Sequence, residues 1–90
     1  MADIKRIKDR IGEIAGKRKN VTLSDIEWVA NQLEMNGYRV SCRKNSHQRL
    51  YTINGLRFGI CDHKHGGKQI KACYVDDFIC AMTELGLYEE

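Results

Sequence analysis

Residues 38–60 read YRVSCRKNSHQRLYTINGLRFGI, and the alternation within them decides the fold. Tyr38, Val40 and Cys42 alternate with Arg39, Ser41 and Arg43, the period of two that marks a half-buried strand. Residues 46–53 make a second strand, and Leu56, Phe58 and Ile60 alternate with Arg57 and Gly59 in a third. Between the last two, Asn54-Gly55 is the preferred two-residue type I′ turn, because both of its central positions need a positive φ. A loop of that length sets the register: Ile53 opposite Leu56, Tyr51 opposite Phe58, Arg49 opposite Ile60. Continued outward, His47 falls opposite Asp62. A carboxylate there would hold one ring nitrogen and raise the basicity of the other.

Helical periodicity flanks this stretch on both sides. Ser24 followed by Glu27 is a capping-box pattern, with Leu23 and Trp28 placed as a staple. Ile26, Val29, Ala30 and Leu33 then form one apolar stripe that Gly37 stops. After the sheet, Val75, Phe78, Ile79, Met82 and Leu85 mark a closing helix that ends at Gly86. Upstream, Ile4, Ile7, Ile11 and Ile14 predict an amphipathic helix over residues 3–15. Its stripe is narrow and Gly12 and Gly16 weaken it, so residues 1–19 read as a basic arm that adds little to the core of a domain at 20–90. The expected fold class is α+β: a three-stranded antiparallel sheet packed on two helices, with an extra N-terminal helix. Two helices on one face leave the other, with Arg39, Arg43 and Arg57, open to a ligand.

Charge is segregated along the 90 residues. Tyr38 to Lys71 holds eight Lys or Arg against one acid, Asp62, whereas Val21–Gly37 and Ala72–Glu90 hold eight acids and no base. The net +3 is therefore a sum of +4, −3, +7 and −5 from the N-terminus onward. A positive block of this kind points to a polyanion, and nucleic acid is the first candidate. No apolar run approaches membrane-spanning length, which argues against a membrane partner. Absence of an apolar signal core points to the cytoplasm, where Cys42, Cys61, Cys73 and Cys80, without C-x-x-C spacing, are expected to be reduced and largely buried.

All three histidines lie in the positive block. Cleavage of RNA without a metal needs a base for the 2′-hydroxyl and positive donors on the phosphate as charge develops. The run Arg43-Lys44-Asn45-Ser46-His47-Gln48-Arg49 offers both, although a solvated strand-end histidine fits the same spacing. Cys61-Asp62-His63-Lys64-His65 lacks a fourth ligand and carries a lysine between its imidazoles, so it reads as a polar loop and no metal is expected. Gly66-Gly67-Lys68-Gln69-Ile70-Lys71 runs into the last helix. Lysines at a helix N-terminus suit a phosphate, and a solvated loop is the bland equivalent.

From Asn20 to Leu87 the chain resembles the HicA-type toxins of bacterial toxin–antitoxin modules. The resemblance rests on Asn20-Val21-Thr22, Gly37-Tyr38, Asn45-Ser46-His47, Gly66-Gly67-Lys68 with Lys71 and Tyr74, and Glu84-Leu85-Gly86-Leu87. It implies a fold like the double-stranded-RNA-binding domain and an endoribonuclease that cleaves mRNA, held inactive by a HicB-like antitoxin. It also makes His47 the catalytic residue and requires no cofactor. Arg43, Lys44, Ser46, Arg49, Lys68 and Lys71 are the RNA-binding candidates by charge and position, with Asp62 as orienter of His47. Asn45 stands where the family usually has glycine, a position Asn tolerates. A non-catalytic RNA-binding module, or a protein-interaction domain with an acidic partner, would need the same positive face.

Overall fold

The computed structural model describes residues 3–17, 20–44, 48–61 and 70–89. In chain order these form α1 (Ile4–Gly16), α2 (Leu23–Met35), β1 (Val40–Lys44), β2 (Gln48–Ile53), β3 (Leu56–Cys61) and α3 (Ala72–Glu84). The fold is α+β. Its antiparallel sheet has the order β1-β2-β3; α2 lies against β1, α3 against β3, and α1 packs behind on both helices.

The hairpin forms as its turn chemistry dictates. Asn54 and Gly55 both have positive φ, at 50° and 89°, and the pairs Ile53–Leu56, Tyr51–Phe58 and Arg49–Ile60 are all present. Alternation turns Tyr51, Ile53, Phe58 and Ile60 toward the helices, where all four are buried. The Tyr51 and Phe58 rings stack at 5.3 Å, and the edge of Phe58 meets Phe78 of α3 at 5.5 Å. Such pairs add directional preference to the burial of apolar area.

The start of α2 departs from the expected cap. Thr22, not Ser24, is the N-cap, and Asp25, not Glu27, closes the box. The Asp25 carboxylate accepts the Thr22 N–H at 3.1 Å and its hydroxyl at 3.2 Å. Both dipeptide spacings satisfy the motif, and burial decides between them. Starting at Leu23 puts Val21 and Ile26 at the stapling positions, and both are fully buried. At the other end Gly37, with φ 92°, lets the Tyr38 N–H reach the Leu33 carbonyl at 3.0 Å and the Gly37 N–H reach that of Glu34 at 3.1 Å. This is the double bond of a left-handed helix stop.

Three further expectations change. First, α1 packs against the domain but adds more to the core than expected: Ile7, Ile11 and Ile14 are fully buried in the same core as α2 and α3. Polar contacts seal the seam, with Arg10 and Lys17 each 3.6 Å from Asp25 and the Arg10 guanidinium 4.7 Å from the Trp28 ring centroid. Second, the cysteines whose side chains are described are not buried. Cys42, Cys73 and Cys80 are free and exposed, the last two on the outer side of α3. Third, β1 is not half-buried; beyond the partly covered Val40, its residues are all exposed. The helical layer stops short of this edge strand.

Candidate nucleic-acid interface

Strand register sets Lys44 and Arg49 side by side at one end of the sheet, with Arg39 beside the hairpin turn at the other. Next to Arg49, Gln48 pairs with Cys61. Residues flanking both 45–47 and 62–69 therefore stand side by side. The contact of Arg49 with Glu27 holds the first turns of α2 at this end, and the Ile70 N–H, donating to the Val21 carbonyl at 2.8 Å, ties the start of α3 to the start of α2. The hairpin turn and the C-terminal stop of α2 lie at the opposite end.

The helix starts differ in electrostatics. At α2 the cap is closed by Thr22 and Asp25, so its dipole already meets a carboxylate. Lys71 is the N-cap of α3, with no side-chain cap bond and no acid in the first turn. Among the described residues the positive end of α3 thus has no capping side chain, and an exposed lysine stands beside it.

Among the expected RNA-binding residues, Lys44 and Lys71 are exposed at this end. Arg43 is exposed one residue before Lys44 but points to the opposite face of the sheet, since it pairs with Leu50. Arg49 takes another direction: it shares the helix-facing side with Tyr51, and its guanidinium donates to the Glu27 carboxylate of α2. Burial works against its charge, yet hydrogen bonds with Tyr51 and Glu27 raise its pKa above the ordinary guanidinium value. Burial likewise raises the Tyr51 phenol, against the opposing hydrogen bond from Arg49. Arg49 thus orders the α2–β2 junction. Catalytic candidate His47, its proposed orienter Asp62, and the RNA-binding candidates Ser46 and Lys68 lie outside the described residues.

On the sheet face away from the helices, Arg39, Arg43 and Arg57 are exposed as expected, and the described strands contribute no acid. Leu50, 40% exposed, sits among them. Linear reading missed Glu27 as a partner for Arg49, which lies 22 residues away. The signal was present in the register, since Arg49 has the parity of Tyr51 and Ile53 and so faces α2. Comparisons with protein-family profiles, curated proteins and solved structures return no match. Among the described residues, no helix is long and apolar enough to cross a membrane.

Proposed function

We propose that the chain is a small endoribonuclease on a fold of the double-stranded-RNA-binding type, a HicA-like toxin acting on mRNA in the cytoplasm. In this reading His47 is the general acid/base, no metal ion takes part, and a HicB-like antitoxin is the protein partner. The observation that carries it is the shared end of the sheet. Lys44 and Gln48 border Asn45-Ser46-His47; Lys44 pairs with Arg49, Gln48 pairs with Cys61, and the start of α3 with Lys71 is tied to the start of α2. An imidazole held there would have cations around a scissile phosphate, and the α3 dipole would favour the charge that develops on it. The element order α2-β1-β2-β3-α3 supports the same reading, since it follows the order of the HicA resemblance.

Incubating the purified protein with a long single-stranded RNA in excess EDTA tests this proposal. Cleavage is expected. RNA that stays intact while binding is measurable would instead identify a non-catalytic module on the same fold. Failure to retain RNA at low salt would point to a protein-interaction domain.

A further inference from the structure

Among the described residues, strand β1 has a neighbour on one side only. The Asn54 N–H donates to the Arg39 carbonyl at 2.8 Å, which fixes the direction of the main chain along this strand. Because peptide groups alternate sides, those of Arg39, Ser41 and Arg43 face β2, and those of Val40, Cys42 and Lys44 face outward. No described residue bonds to the outward set. Free donors and acceptors in a row are a template for another strand.

What kind of strand fits is set by its surroundings. Behind the edge, a cleft of about 290 Å³ separates β1 from α2; Ala30, Val40 and Cys42 are its apolar lining, and Glu34 and Lys44 are among its charged lining. Cys42 and Lys44 are exposed although they are on the helix-facing side of the sheet, so the described residues leave this gap unfilled. On the opposite face the edge presents Arg39 and Arg43. A second copy of β1 is a poor occupant: antiparallel pairing about Cys42 would bring together four cations from the two strands, with an Arg39 flanking each, and no acid. A segment of complementary charge has no such penalty.

We propose that β1 accepts an extended protein segment as a fourth strand, one whose side chains alternate between apolar and acidic. Its apolar side chains enter the cleft over Ala30 and Val40, and its acidic ones meet Arg39 and Arg43. Main-chain bonds to Val40, Cys42 and Lys44 supply affinity, and the alternation supplies specificity. This docking edge is independent of whether the chain cleaves RNA.

A short capped peptide of alternating Glu and Val is the probe, with a Lys-Val peptide and oligo-uridine as competitors, followed by amide hydrogen exchange on the full chain. The Glu-Val peptide should slow exchange at Val40, Cys42 and Lys44 by about tenfold or more, leaving the already paired Ser41 and Arg43 unchanged. Cys42→Pro removes an outward N–H without touching the β1–β2 ladder and should weaken binding about tenfold or more, whereas Cys42→Ser should not. If Cys42→Pro fails to fold, the every-other-residue protection of the parent decides alone. Absence of saturable binding, equal binding of the Lys-Val peptide, or protection at Arg57 and Gly59 on β3 would overturn the proposal. Protection of the three β1 amides by oligo-uridine but not by the peptide would overturn it in favour of nucleic acid.

Discussion

Replacing Ile11 by Ala measures whether α1 belongs to the folding unit. Ile11 is fully buried, between Ile7 and Ile14 on the face that α1 turns toward α2 and α3. Truncating a core isoleucine to alanine costs about 2–5 kcal/mol from lost transfer energy and the cavity left behind. For a domain of this size, each kcal/mol lowers the melting temperature by about 4–8 °C. A central loss of ~3 kcal/mol therefore corresponds to a fall of about 12–24 °C, a large fraction of the 5–15 kcal/mol that holds such a domain folded. Removing residues 1–18 takes away all three buried isoleucines with the Arg10 and Lys17 contacts to Asp25, and should abolish the cooperative transition. Thermal unfolding followed by circular dichroism reads both. Lys8→Ala, on the exposed side of α1, is the control and should stay within about 0.5 kcal/mol of the parent. If Ile11→Ala melted within a degree or two of the parent, or the truncated chain kept its transition, α1 would be the dispensable arm that its narrow apolar stripe suggests.

Three other outcomes follow from particular contacts. Thr22→Ala should cost about 1 kcal/mol in urea unfolding and Ser24→Ala almost nothing, whereas the reverse order would return the cap to Ser24. The raised pKa of Tyr51 means that the folded state holds the phenolic proton more tightly than the unfolded one. Its contribution to stability is then complete below about pH 10 and is lost as pH climbs through the raised value. Urea midpoints from about pH 9 to 11.5 should fall more steeply for the parent than for Tyr51→Phe, and parallel curves would contradict the assignment. Changing Lys68 and Lys71 together to Ala should flatten the log–log salt dependence of RNA binding by about two units, at ~0.9 per phosphate contact. An unchanged slope would move the binding face elsewhere.

Much of the fold is legible because a few residues leave the backbone little choice. Asn54-Gly55 admits one kind of turn, and the turn fixes three cross-strand pairs at once. Gly37 and Gly86, both with positive φ, mark where α2 and α3 end. The start of α2 was less readable. Thr22-x-x-Asp25 and Ser24-x-x-Glu27 are equivalent as text, and only the burial of Val21 separates them. The weight of α1 was hidden for a similar reason: propensity describes an isolated helix, while the burial of Ile7, Ile11 and Ile14 depends on the surface that α2 and α3 together provide. Cysteine exposure also escaped, since alternation places Cys42 on the helix-facing side without saying that α2 fails to cover it. At the candidate interface, the convergence of Lys44 and Lys71 could be inferred from topology. The engagement of Arg49 with Glu27 needed the register and the helix position together.

The proposed cleavage rests on one histidine, and the rate of RNA cutting in excess EDTA by His47→Ala beside the parent tests it. Loss of a general acid/base should lower the rate by about 10²–10⁴-fold. RNA affinity and the melting temperature should change little, because phosphate contacts from the remaining cations dominate binding. His63→Ala and His65→Ala, prepared alongside, should cut at close to the parent rate. If His47→Ala cleaved RNA as fast as the parent, the proposed mechanism would be wrong.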